Sequence, residues 1–87
     1  MSNASLVARI SEIVSQFEAG QASFVRLRDA LENTGKAIES LPYNMVVELR
    51  SIESRLAIEQ GYEEEDCESR PQEALAQLRL WLEKVPL

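Results

Sequence analysis

The densest chemistry in this chain lies in ten residues: Glu59, Gln60, Gly61, Tyr62, Glu63, Glu64, Glu65, Asp66, Cys67 and Glu68. Six of them are carboxylates, and no Lys or Arg lies between Arg55 and Arg70. Carboxylates can move protons, hold a hard cation or bind a basic surface. Proton transfer usually recruits histidine, and the chain has none. Paired carboxylates that hydrolyse a substrate need a concave site, which a small helical protein offers poorly. Glu63-Glu64-Glu65-Asp66 lacks the alternating acids and central glycine of a calcium loop. Cys67 is the only thiol, and a reactive thiolate needs positive neighbours. Asp66 and Glu68 flank it and raise its pKa instead. Three glycines leave no glycine-rich phosphate loop. The expectation is a protein without catalysis, metal or cofactor.

Binding remains. The chain has 15 acids and 9 bases, so outside this decade the other 77 residues carry nine of each. The formal charge of −6 is therefore concentrated in one segment. Crowded like charges stay hydrated, and a solvated run that only keeps a small protein soluble is one reading. The other is a docking surface. One charged end on a neutral body makes a directional field that steers a basic partner and fixes its orientation. Tyr62 at the head of the run would add an aromatic anchor. The partner-binding candidates are thus Glu59, Tyr62, Glu63, Glu64, Glu65, Asp66 and Glu68. An acidic chain repels nucleic acid and anionic membrane, so a direct complex with either is not expected.

Helices must position these groups. Leu6, Ile10, Ile13 and Phe17, widened by Val7 and Val14, make one apolar face from about Ser5 to Glu18, and Gly20 suits its end. Ser23 can cap a second helix carrying Phe24, Leu27 and Leu31. Asn33-Thr34-Gly35 reads as its stop, although Ile38 and Leu41 keep the register; a break at Gly35 is expected. Pro42 suits the opening turn of a third helix, with Asn44 as an alternative cap. Met45, Leu49, Ile52 and Leu56 form its inner face, and Gly61 should end it. Ser69 and Gln72 have the spacing of a capping box before a fourth helix, with Arg70 as the other cap candidate. Leu75, Leu78, Leu82 and Val85 line that helix, flanked by Ala74 and Trp81, until Pro86. No segment alternates like a strand.

At 87 residues the chain is one domain. Four amphipathic helices with short links predict an all-α, antiparallel four-helix bundle, with the acidic run in the link at one end. Ser2-Asn3-Ala4 reads as a vector remnant outside the fold, so residues 1–4 are expected to be disordered. A single cysteine fits a reducing cytoplasm, and no apolar run approaches the length of a membrane span.

The layout resembles the colicin D-type immunity proteins, including those of contact-dependent growth inhibition systems. The likeness lies in a first helix ending in Phe17-x-x-Gly20, a Ser23 cap, a third helix ending in Glu59-x-x-Tyr62, and an acidic link to a short last helix. Leu27 stands where the family carries Phe, and the link is richer in Glu. The resemblance implies a monomeric bundle that binds the cationic active site of a cognate toxin, typically a tRNA-cleaving nuclease. Its carboxylates would stand where RNA phosphates lie. A small acidic secretion chaperone and an adaptor subunit of a larger helical assembly remain the alternatives.

Overall fold

The computed structural model describes residues 3–37, 41–65 and 68–86. Among them are four helices and no strand: α1 (Asn3–Glu18), α2 (Phe24–Ala37), α3 (Tyr43–Glu64) and α4 (Gln72–Glu83). α1 packs on α2 and α4, and α3 packs on the same two, so α1 and α3 face each other diagonally across an antiparallel four-helix bundle. α3 is the longest element at 22 residues. At about 1.5 Å per residue it spans most of the 39 Å long axis.

The apolar stripes meet in one core. Ile10, Val14, Leu27, Leu31, Ile52, Leu56, Leu78 and Trp81 are its most enclosed side chains. The Trp81 indole donates to the Met45 carbonyl at 2.9 Å, which satisfies a buried polar group while the ring fills the space between α4 and α3. Phe17 is a partial exception to the expected core. It is half-buried at the end of α1 and meets Phe24 edge-on, ring centres 4.7 Å apart.

The first turn forms as its residues dictate. Gly20 takes φ +77°. Its N–H donates to the Phe17 carbonyl at 3.0 Å, and the Gln21 N–H reaches back to Gln16 at 2.7 Å. This pair of bonds satisfies the last carbonyls of α1, and glycine adopts the left-handed angle without steric cost. The Ser23 hydroxyl then accepts from the Arg26 N–H at 3.2 Å and caps α2.

Several boundaries differ from the sequence expectations. α2 runs through Gly35 to Ala37. A Cβ at position 35 would lie 2.9 Å from Leu49 Cδ2, so the glycine serves the close approach of α2 to α3 rather than a stop. Pro42 is the N-cap of α3, in extended conformation and with no side-chain cap bond, and Asn44 lies inside the helix. α3 continues past Gly61 to Glu64. No capping box opens α4: Pro71 is its N-cap and makes no side-chain cap bond. Asn3 belongs to α1, and its amide donates to the Pro86 carbonyl at 2.8 Å, tying the two chain ends together.

Ion pairs at 3.0 Å (Arg55–Glu73) and 3.6 Å (Lys84–Glu48) link α3 to α4, and Arg79–Glu18 links α4 to α1. All are at the surface, where such pairs are worth roughly 0–1 kcal/mol each; packing holds the bundle.

Candidate partner-binding surface at the acidic end

The acidic run is not a single surface. Most of its described residues lie on the last turns of α3, where each residue is rotated by about 100° from the one before. Neighbours in sequence therefore face different surroundings.

Glu59 points inward and is only 7% exposed. Its carboxylate accepts from the Arg70 N–H at 2.7 Å and from the Ser69 hydroxyl at 3.4 Å. It thus ties the residues that lead into α4 back onto α3, at the end of α4 where backbone N–H groups lack partners and a negative charge is favoured. This corrects its assignment as a partner-binding residue. A buried carboxylate already bonded within the chain cannot lie across another protein.

Tyr62 is 46% exposed, and rotations of about 100° and 200° around α3 separate it from Glu63 and Glu64. Glu65 is exposed and is the C-cap of α3, its N–H donating to the Gly61 carbonyl at 3.1 Å. Glu68 is exposed and paired with the Arg70 guanidinium at 2.9 Å, which lowers its availability. Asp66 and Cys67 lie outside the described residues, so the roles expected of them are not placed.

Glu63 and Glu64 come together with groups from the other helix pair. They rim a depression of about 380 Å³ whose remaining lining includes Phe17, Gly20, Ser23, Phe24 and Gln60. Half-buried Phe17 and buried Phe24, packed edge-on, contribute to its apolar lining together with Ala22 and exposed Val25. Gln60 holds one rim carboxylate in place. Its amide donates to Glu64 at 3.2 Å, and its carbonyl accepts from Arg28 of α2 at 2.7 Å. The Glu63 carboxylate makes no hydrogen bond or ion pair among the described residues, and the residue is exposed. Aromatic rings beneath a pair of carboxylates suit a Lys or Arg side chain: the methylene stem packs on the rings, and the cation meets the carboxylates.

The sequence reading missed this aromatic partner, treating Phe17 and Phe24 only as core. A signal was available. In an up-and-down bundle the α1–α2 turn and the α3–α4 link share one end, so both phenylalanines had to lie near the acids.

A second groove, of about 410 Å³, runs between α2 and α3 with Val25, Leu41, Val46 and Leu49 among its lining. Its charges alternate in sign. Glu53 within it has its pKa raised by burial and by the Glu32 carboxylate, against the opposing pull of Arg28, Arg50 and Lys36. This mixed character gives no direction for a single class of partner. Among the described residues, no group of three His, Cys, Asp or Glu side chains is placed to hold a metal ion, and no helix is long and apolar enough to cross a membrane.

Comparison with known proteins gives no matching family model, no matching curated protein and no matching solved structure. The geometry of the chain itself has to carry the functional reading.

Proposed function

We propose that this bundle is an immunity-type protein, which docks its acidic end on the basic RNA-binding face of a nuclease toxin and so neutralises it. The observation that supports this most is the depression rimmed by Glu63 and Glu64 above Phe17 and Phe24. It offers a basic side chain both a counter-charge and an apolar seat, which a merely solubilising run of acids would not need. Glu65 and Glu68 extend the negative field around it and steer the approach. Of the candidates among the described residues, Glu63 and Glu64 carry the most weight, because these two share a concave surface. A cytoplasmic setting follows from the same reading, since the toxin acts on RNA.

On this reading a gene for a basic nuclease lies beside this one. Glu63→Lys with Glu64→Lys should abolish binding to that nuclease and protection of cells, while the helical circular dichroism spectrum stays unchanged. Glu63→Gln with Glu64→Gln should bind more weakly than the parent and with a flatter dependence on salt. Retention of parental affinity by the charge-reversed protein at both low and high salt would defeat the proposal.

A second reading, a small acidic chaperone or adaptor, requires an apolar docking face. The outward side of α3 provides one.

A further inference from the structure

α3 carries apolar side chains on two opposite faces. The inner face, with Met45, Leu49, Ile52 and Leu56, is buried in the core. On the outer side Tyr43, Val47, Ile58 and Tyr62 are 82%, 46%, 52% and 46% exposed. They are four of the six large hydrophobic residues exposed among the described residues. At about 100° per residue, Tyr43, Val47, Ser54 and Ile58 fall within roughly 60° of one another, with Ser51 and Tyr62 along one edge. No other described residue covers this stripe.

The stripe is symmetric. Tyr43 and Val47 are four residues apart, and so are Ile58 and Tyr62; two small residues, Ser51 and Ser54, lie between the pairs. The pattern is palindromic about the point between positions 52 and 53: reading α3 in reverse exchanges Tyr43 with Tyr62, Val47 with Ile58 and Ser51 with Ser54. A self-complementary patch of this kind is what a twofold contact between identical chains requires.

We propose that α3 packs antiparallel on α3 of a second copy, with the twofold axis passing between the two helices at the height of positions 52 and 53. Val47 would then sit against Ile58 of the partner subunit, while Tyr43 and Tyr62, about 100° apart around the helix, flank that contact on opposite edges near its two ends. The serines at the crossing let the backbones come close. Charge selects the same orientation. A parallel pair would bring two acidic helix ends together, whereas the antiparallel pair separates them by the length of α3. Each acidic end then lies beside the start of the other α3, where Pro42 supplies no side-chain cap and free N–H groups favour negative charge. Arg50 and Arg55, which stand at equal heights under this symmetry, occupy opposite edges of the stripe and do not meet.

One helix pair buries less than the roughly 1,200 Å² of a standard interface, which places this contact among the weak, reversible ones. Glu63 and Glu64 face the α1–α2 turn, so both acidic depressions stay open. The dimer is thus independent of the toxin-binding reading, and it departs from the monomer that the family resemblance implies.

Sedimentation equilibrium from micromolar to millimolar concentrations tests the idea. The parent should shift from monomer to dimer across that range. Val47→Glu should remain monomeric throughout, with an unchanged circular dichroism spectrum because residue 47 is exposed. Leu80→Glu, on an exposed position of α4, should dimerise like the parent. Cross-linking fixes the register. In a Cys67→Ser background, Val47→Cys combined with Ile58→Cys should oxidise to an interchain disulfide. Either cysteine alone should not, because identical positions lie about 16 Å apart along antiparallel helices. A parent that stays monomeric to millimolar, or single-cysteine variants that cross-link as well as the double variant, would overturn the proposal.

Discussion

Two connections lie side by side at one end of the bundle, and they are built on opposite plans. Between α1 and α2, every bond that ends one helix and starts the next comes from within a few residues: Gly20 with its φ of +77°, the returns to Phe17 and Gln16, and the Ser23 hydroxyl on Arg26. Between α3 and α4, no left-handed glycine appears among the described residues and neither helix end is capped by an adjacent side chain. Backbone bonds close α3 at Glu65 and open α4 at Pro71, but the side-chain bonds that tie the two together come from Glu59, eleven positions before the Arg70 N–H it accepts from. The first connection is encoded locally. The second needs α3 already folded before α4 can be anchored to it.

That contrast can be broken at Glu59 with the largest effect. Glu59→Ala leaves the Arg70 N–H without its acceptor in a part-buried setting and removes the negative charge near the start of α4. A loss of about 1–3 kcal/mol in chemical denaturation is expected. Ser69→Ala should cost clearly less, because the hydroxyl bond is long at 3.4 Å. Since Glu59 is buried, binding of the basic partner by the folded Glu59→Ala protein should match the parent. A loss of affinity with the fold intact would return Glu59 to the docking surface.

The local connection should respond more mildly. Ser23→Ala removes one cap bond on an exposed turn, at a cost of about 1 kcal/mol by the same measurement. A cost equal to that of Glu59→Ala would erase the distinction between the two plans.

The same distinction explains what was legible in the sequence. The apolar stripes of all four helices, the Gly20 stop and the Ser23 cap rest on short spacings, and they form as read. Glu59 was read as a partner-binding acid because the groups that donate to it, the Ser69 hydroxyl and the Arg70 N–H, belong to the far side of the link. Gly35 was read as a stop because glycine permits a left-handed turn, but what it supplies is room for Leu49, a contact made only once α2 lies on α3. The depression at the acidic end required residues from both connections at once. The outer stripe of α3 was hidden for a different reason: Tyr43, Val47 and Ile58 are interleaved with charged residues, and the stronger inner stripe alone accounts for a bundle helix.

Two glycines give the sharpest test, with the smallest effects. Gly20 and Gly61 each have open space where a Cβ would project, so no side-chain clash distinguishes them. They differ in backbone. Gly20 has a positive φ, and Gly61 lies within α3 without one. Alanine at position 20 must either take the strained left-handed angle or undo the turn, so Gly20→Ala should lose about 1 kcal/mol. Alanine at position 61 should gain up to about 1 kcal/mol, because it restricts the unfolded chain and suits a helix better than glycine. Opposite signs from the same substitution would show that α3 runs helically through position 61, as the placement of Glu63 and Glu64 in one lining with Phe17 and Phe24 requires. A loss of stability in Gly61→Ala would mean that the chain turns at Gly61 after all. The acids beyond it would then be a solvated link, and the depression they rim would not exist as a seat for a basic side chain.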